Sequence, residues 1–139
     1  MRILRDGLNI KWPEGLKRTK ARECVLSVLK DSNRPLSAME IFEEIEGRGH
    51  TIWLSTVYRV LDAFEEKGLV IKTSLLNNEL TLYDLKATGH RHYAVCVECH
   101  KIVTMTNCPM KDFKPSFKDD EIEVIGHKVE VYGYCKDCR

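Results

Sequence analysis

Two short cysteine pairs, Cys96-x2-Cys99 and Cys135-x2-Cys138, limit this chain more than any other feature. Each pair is a knuckle, in which two thiols flanking a tight turn grip one metal ion from the same side. Two knuckles separated by a folded segment can close a tetrahedral all-cysteine site, and zinc is the ion that suits it. Four sulfurs fill the coordination sphere, so such a site is structural and leaves no position open for water. It would pin the C-terminal strand to the first strand of its domain, and binding energy would become folding energy.

The competing use of cysteine is the disulfide, which needs an oxidising compartment. The N-terminus, "MRILRDGLNIKWPEG", has charges inside every apolar stretch and is not a signal peptide. No apolar run approaches the ~20 residues that cross a bilayer. A cytoplasmic location without membrane contact is therefore expected, and metal ligation is the better use for the thiols.

A second cluster overlaps the first knuckle. "GHRHYAVCVECHKIV", residues 89–103, holds three of the five histidines. On a strand, the alternate residues His90 and His92 point to one face and can share a metal. His127 precedes the last strand, and Cys108 stands before a proline, outside both knuckles. Three imidazoles and one thiolate suit Zn2+ better than metals that prefer oxygen. From spacing alone, scattered surface histidines and a buried cysteine remain open as an alternative. His100 reads as a turn residue, His50 as solvated and Cys24 as a small core residue.

The first half of the chain is helical. "TKARECVLSVLKDS" starts at a Thr19 N-cap, with Val25, Leu26, Val28 and Leu29 on its apolar side. "SAMEIFEEIEGRG" opens on Ser37 and Glu40, a capping box. "STVYRVLDAFEEKG" opens with Ser55 and stops at Gly68; Val57, Val60, Leu61 and Phe64 form one buried stripe. Its other face carries Ser55, Tyr58, Arg59 and Asp62. "LVIKTSLLNNELTLYDL" then reads as a hairpin turning at Asn77-Asn78. Three helices and a hairpin are the plan of a winged helix-turn-helix, whose third helix enters the DNA major groove. A helical bundle that never meets DNA is the plainer alternative. Tyr58 and Arg59 weigh against it, because an Arg can read a guanine edge and a Tyr can reach a phosphate or a thymine methyl. Charge agrees, since residues 1–35 hold nine Lys/Arg against four Asp/Glu, and a basic segment suits a polyanion.

Residues 85–89 read as a hinge. Beyond it, "HYAVCVEC" and "KIVTMT" are strands joined by the first knuckle, "CPMKDF" starts a short helix on Pro109, and "DEIEVIGHKVEVYGYC" is strand-like. The fold class is α+β: a winged helix-turn-helix DNA-binding domain over residues 1–84, and an α/β dimerisation domain with zinc knuckles over 85–139.

These motifs together resemble the Fur family, the ferric uptake regulator-like metal sensors. The resemblance covers residues 14–138 and rests on "LKRTKAR", "LSAMEIFEEI", "STVYRVLDAFEEKGLV", the His-x-His before Cys-x2-Cys, and "GHKVEVYGYCKDC". It implies a homodimeric transcriptional repressor of operator DNA, in which metal sets the angle between domains. The DNA-facing residues it implies are Ser55, Thr56, Tyr58 and Arg59, with Arg18 and Lys20. One family metal site lies between the domains. Here its two histidine positions hold Arg91 and Tyr93, "NRPLSA" supplies no His, a carboxylate position is Thr104, and Asp84 alone survives. A second family site maps onto His90, His92 and His127; its glutamate falls near Lys111, and Cys108 is placed to substitute. A thiolate there is similar to the zinc-uptake-regulator (Zur) branch. The regulatory metal is expected to be Zn2+, with Fe2+ or Mn2+ as alternatives from iron- or peroxide-responsive members. A zinc hydrolase would need an open site and a base such as Glu123 or Glu130, and no H-E-x-x-H motif is present. A zinc-ribbon interaction module without DNA contact is the remaining reading.

Overall fold

Thr19 and Ser37 each end an extended stretch and turn the chain into a helix. The computed structural model describes residues 10–77, 79–88, 92–110, 116–127 and 129–139. The chain divides into two compact units, with the division after Gly89.

In the first unit, α1 spans Lys20–Asp31, and the Thr19 hydroxyl accepts the Arg22 N–H. Helix α2 spans Ala38–Gly47 behind the expected capping box. The Ser37 hydroxyl accepts the Glu40 N–H, and the Glu40 carboxylate accepts the Ser37 N–H, both at 3.1 Å. Burial pushes the Glu40 carboxyl up, but bonds from Arg34 and Ser37 outweigh it and hold the group below its ordinary value. Replacing Ser37 by Ala should cost about 1 kcal/mol, read as an earlier urea transition of the helical signal. An unshifted midpoint would show that the box contributes nothing.

Helix α3 spans Leu54–Glu66, one residue earlier than its expected start at Ser55. The Trp53 carbonyl takes the first helical bonds, from the N–H groups of Thr56 (3.0 Å) and Val57 (3.1 Å). Backbone alone starts this helix, so Ser55 lies inside its first turn. The end is conventional: Gly68 has φ 74°, its N–H reaches the Glu65 carbonyl, and the Leu69 N–H reaches that of Phe64.

Strands β1 (Val70–Leu75) and β2 (Leu80–Leu85) pair antiparallel from Val70↔Leu85 to Leu75↔Leu80. Leu76 and Asn77 turn the hairpin with positive φ; Asn78 lies outside the described residues. Leu36, between α1 and α2, exchanges two backbone bonds with Tyr83 and so ties the helices to the hairpin. In the core, Val25, Val28 and Leu29 meet Ile41, Ile45, Val57, Leu61 and Phe64, closed by Val70 and Leu85, while Leu26, expected on the apolar side of α1, is only partly buried against it. Strand pairing continues through Leu85, the first residue of the expected hinge 85–89, and Asp84 lies opposite Ile71 in β2. A 3-10 turn, Lys86–Thr88, follows.

The second unit is built on a three-stranded sheet in the order β4-β3-β5. Strand β3 is Tyr93–Cys96, β4 is Ile102–Thr104 and β5 is Glu130–Gly133. The β3–β4 pair is antiparallel and the β3–β5 pair parallel. The strand expected across "DEIEVIGHKVEVYGYC" is therefore much shorter. Glu121–His127 is in no strand and is exposed, with Ile125 at 98%. Its alternation is strand-like, but among the described residues no sheet edge is paired with it. Pro109 and Met110 form a turn, and the rest of the expected short helix, residues 111–115, lies outside the described residues.

Candidate metal centres

The register of that sheet explains why ligands distant in sequence meet. Parallel pairing sets Cys96 opposite Gly133, so β3 and β5 finish at the same end of the sheet. A knuckle follows each strand there. The Val97 N–H donates to the Gly133 carbonyl at 2.9 Å and holds the two turns together. Cys96, Cys99, Cys135 and Cys138 bring their sulfurs within 4.8 Å of one another. The Cys99 and Cys135 sulfurs are 3.8 Å apart. A zinc tetrahedron with Zn–S bonds of about 2.3 Å has edges of about 3.8 Å, so the donor set fits that ion.

The electrostatics agree. Backbone N–H groups of Cys99 and Cys135 draw the Cys96 thiol down to about 6, and the Cys135 N–H lies 3.4 Å from its sulfur. Cys138 is pushed up to about 12, first by the Cys135 thiol and then by burial. Without a cation, the Cys96 thiol ionises readily, whereas Cys99 and Cys138 are pushed the other way by neighbouring thiols and burial. A dication reverses that balance and releases protons as it binds.

A different donor set occupies the opposite end. His92 precedes β3, and His127 lies just upstream of β5. Strand β4 runs back antiparallel, and the Met105 N–H donates to the His92 carbonyl at 2.9 Å, so the chain returns Cys108 to the same place. The His92 and His127 Nε2 atoms are 3.3 Å apart; the Cys108 sulfur is 3.2 Å from the first and 3.6 Å from the second. Tetrahedral zinc with one sulfur and two nitrogens has N···N edges of about 3.3 Å and N···S edges of about 3.6 Å. The imidazoles stack at 5.2 Å between centroids. His92 is 6% exposed, Cys108 half-buried and His127 exposed. The candidate ligand His90 lies outside the described residues, as do Arg91 and Lys111. About four residues of strand at ~3.3 Å each separate the two donor sets, roughly 13 Å.

His50 and His100 are exposed, and His100 turns the first knuckle with φ 64°. Cys24 packs against the helical core. Asp84 is 9% exposed, and its carboxylate accepts the Leu85 N–H. Glu130 accepts from the Tyr132 hydroxyl, and Glu123 lines an open apolar groove with Phe117, Ile122 and Ile125.

In the first unit, α3 buries Val57, Val60, Leu61 and Phe64 and leaves Ser55, Tyr58, Arg59 and Asp62 exposed, with Thr56 half-buried. Lys20 is exposed at the start of α1. Arg18 stacks its guanidinium 4.6 Å from the Trp12 ring centre and lies 3.5 Å from Glu23. Trp12 itself meets Phe64 edge-on at 5.9 Å. Sequence patterning missed Trp53, which is 78% exposed where the chain enters α3. Its neighbour Ser55 carried the expected helix start, and nothing in the periodicity marked the indole.

A winged helix followed by a sheet with thiolates at one end and imidazoles at the other defines a metal-responsive transcription regulator. The sequence pattern of the Ferric uptake regulator family matches residues 13–132, and the chain belongs to that family. Its members regulate transcription and are not enzymes, so the hydrolase reading falls away. The ferric uptake regulation protein of Haemophilus influenzae is 30% identical over 125 residues, 88% of this chain and 85% of that protein. The iron-containing ferric uptake regulator from Francisella tularensis superposes with a TM-score of 0.75 at 28% identity, covering 92% of this chain and 98% of that one. FurB from M. tuberculosis, a zinc uptake regulator, superposes at 0.50 and 27% identity, covering 91% and 98%. Among the described residues, no helix is long and apolar enough to cross a membrane.

Proposed function

We propose that this chain is a zinc-responsive transcriptional repressor that binds operator DNA as a homodimer. In this reading Cys96, Cys99, Cys135 and Cys138 hold a structural Zn2+. His92, His127 and Cys108, with His90 as the fourth ligand, hold the regulatory one. The observation that carries the zinc assignment is the Cys108 sulfur within 3.6 Å of two imidazole nitrogens. A thiolate favours zinc over Fe2+ or Mn2+, which do better with oxygen donors. Similarity to the M. tuberculosis zinc uptake regulator supports it. Iron sensing is the second reading, supported by relatives named ferric uptake regulation proteins and by the buried carboxylate of Asp84.

The homodimer is supported by Phe117, Ile122, Val124 and Ile125, all exposed on one small unit. The four line one apolar groove, three of them on the strand-like segment itself, and such a surface is suited to a second copy. The two units would divide the work, the first binding DNA and the second dimerising and binding metal, with the boundary expected after residue 84 moved to follow Gly89.

Titration of chelator-stripped protein with Zn2+, Fe2+ and Mn2+, scored by binding to a selected duplex, tests the reading. Zinc should restore binding at the lowest free concentration. Restoration by Fe2+ alone would hand the assignment to iron.

On the DNA side, Ser55, Thr56, Tyr58 and Arg59 face the major groove, and Arg18 and Lys20 meet the phosphate backbone. Arg59→Ala should weaken specific binding by about 1–3 kcal/mol and relax selectivity at one base pair. Unchanged affinity in the metal-loaded dimer would reject that role.

A further inference from the structure

We propose that Trp53 is a specificity-determining residue that packs its indole on the C5-methyl of an operator thymine where α3 enters the major groove. The inference rests on the DNA-binding reading above. Three observations support it.

Trp53 does no work in the fold. It occupies the N-cap of α3, where Ser, Thr, Asp or Asn would add a side-chain bond, and its side chain makes no cap bond. Its backbone carbonyl starts the helix without help from the indole. Ile52, one residue earlier, packs on the helical core, whereas Trp53 is 78% exposed. An indole is among the largest apolar groups a protein can bury, and here it stands in water.

Its position is the one a recognition helix uses for base readout. The N-terminal residues of such a helix reach base edges, and the first helix crosses the backbone. Ser55 is exposed in the same first turn, and Tyr58 and Arg59 follow one turn later. That first turn carries no acidic residue. The positive end of the helix dipole therefore meets the phosphates without an opposing carboxylate in that turn.

The chemistry selects the base. In the major groove thymine alone presents a methyl group, which apolar side chains contact. Arg59 is suited to guanine, and Trp53 adds thymine discrimination beside it. Removing the indole should cost about tenfold in affinity, the size of one lost base contact.

The test uses the full-length, metal-loaded protein. A duplex is first selected from a random pool by the wild type. Affinities of wild type, Trp53→Ala and Trp53→Phe are then measured on that duplex, and on versions with each thymine replaced singly by deoxyuridine. The expected result is about a tenfold loss for Trp53→Ala, a small loss for Trp53→Phe, and one deoxyuridine position where the wild type loses affinity and Trp53→Ala loses no more. Equal loss on every duplex would mean a backbone contact and overturn the proposal. So would unchanged affinity, a lowered melting temperature, or dissociation of the Trp53→Ala dimer in sedimentation. If the metal-loaded wild type selects no duplex, the DNA-binding reading itself fails and takes this inference with it.

Discussion

Cys99→Ser is expected to unfold the second unit and leave the winged helix standing. The cause is the small amount of apolar surface that unit buries. Val95 and Cys96 are its buried apolar residues among those described, whereas the first unit encloses Phe64, Leu29, Ile41 and Leu61 at 1% exposure or less. A sheet whose strands have four, three and four residues cannot hold itself together in water. Structural zinc contributes about 10–16 kcal/mol of apparent binding energy in small domains, comparable to the whole stability of an ordinary domain, about 5–15 kcal/mol. Losing one sulfur removes a large part of that and leaves three thiols, Cys96, Cys135 and Cys138, around an incomplete site. The checks are zinc per chain and proteolysis. Cys99→Ser should lose its tightly held zinc and be cut rapidly beyond residue 92, with the helical signal retained. A variant with wild-type zinc content and a protected C-terminal half would overturn the structural assignment. Chelation of the wild type should give the same pattern, and added Zn2+ should reverse it.

Local rules made the first unit legible. Val57, Val60, Leu61 and Phe64 recur at helical spacing and are buried; Ser37 and Glu40 close their box within one turn. Each signal involves residues a few positions apart, so the sequence carries it whole. The second unit depends on a pairing that no local rule reveals. Strands β3 and β5 are parallel with more than thirty residues between them, and that register decides which ligands meet. The cysteine spacing announced the first cluster, because a knuckle is itself local. The second cluster was legible only as residue types suited to one metal. That its members lie at the other end of the same sheet is a consequence of topology. Ile122 and Val124 show the opposite failure. Their alternation has strand period, but a strand exists only where another edge takes its hydrogen bonds, and that edge is not among the described residues of this chain.

His92→Ala should abolish metal-dependent DNA binding while sparing the fold. His92 is the most buried of the three donors in its own cluster, at 6% exposure, and its backbone carbonyl anchors the end of β4 through Met105. Truncation keeps that backbone bond and removes the Nε2 that lies 3.2 Å from the Cys108 sulfur and 3.3 Å from His127. Cys108 and His127, with His90 as the proposed third donor, leave one corner of the tetrahedron empty and hold the ion less tightly. The four-cysteine cluster, roughly 13 Å away along the sheet, should keep its zinc, so metal content should fall from two ions per chain to one. Coupling between effector and DNA is typically about 1–3 kcal/mol, and metal-stimulated affinity should therefore drop about 5–150-fold, to the level of stripped wild type. Cys108→Ser separates sensing from selectivity. A hydroxyl is a poor ligand for zinc but acceptable to Fe2+ or Mn2+, so this variant should need more zinc for the same DNA affinity and respond comparatively better to the other two. Full zinc response in His92→Ala, together with loss of response in Asp84→Asn, would locate the sensor on the carboxylate instead. A thiolate between two imidazoles would then be a bystander, and iron the better candidate for the regulatory ion.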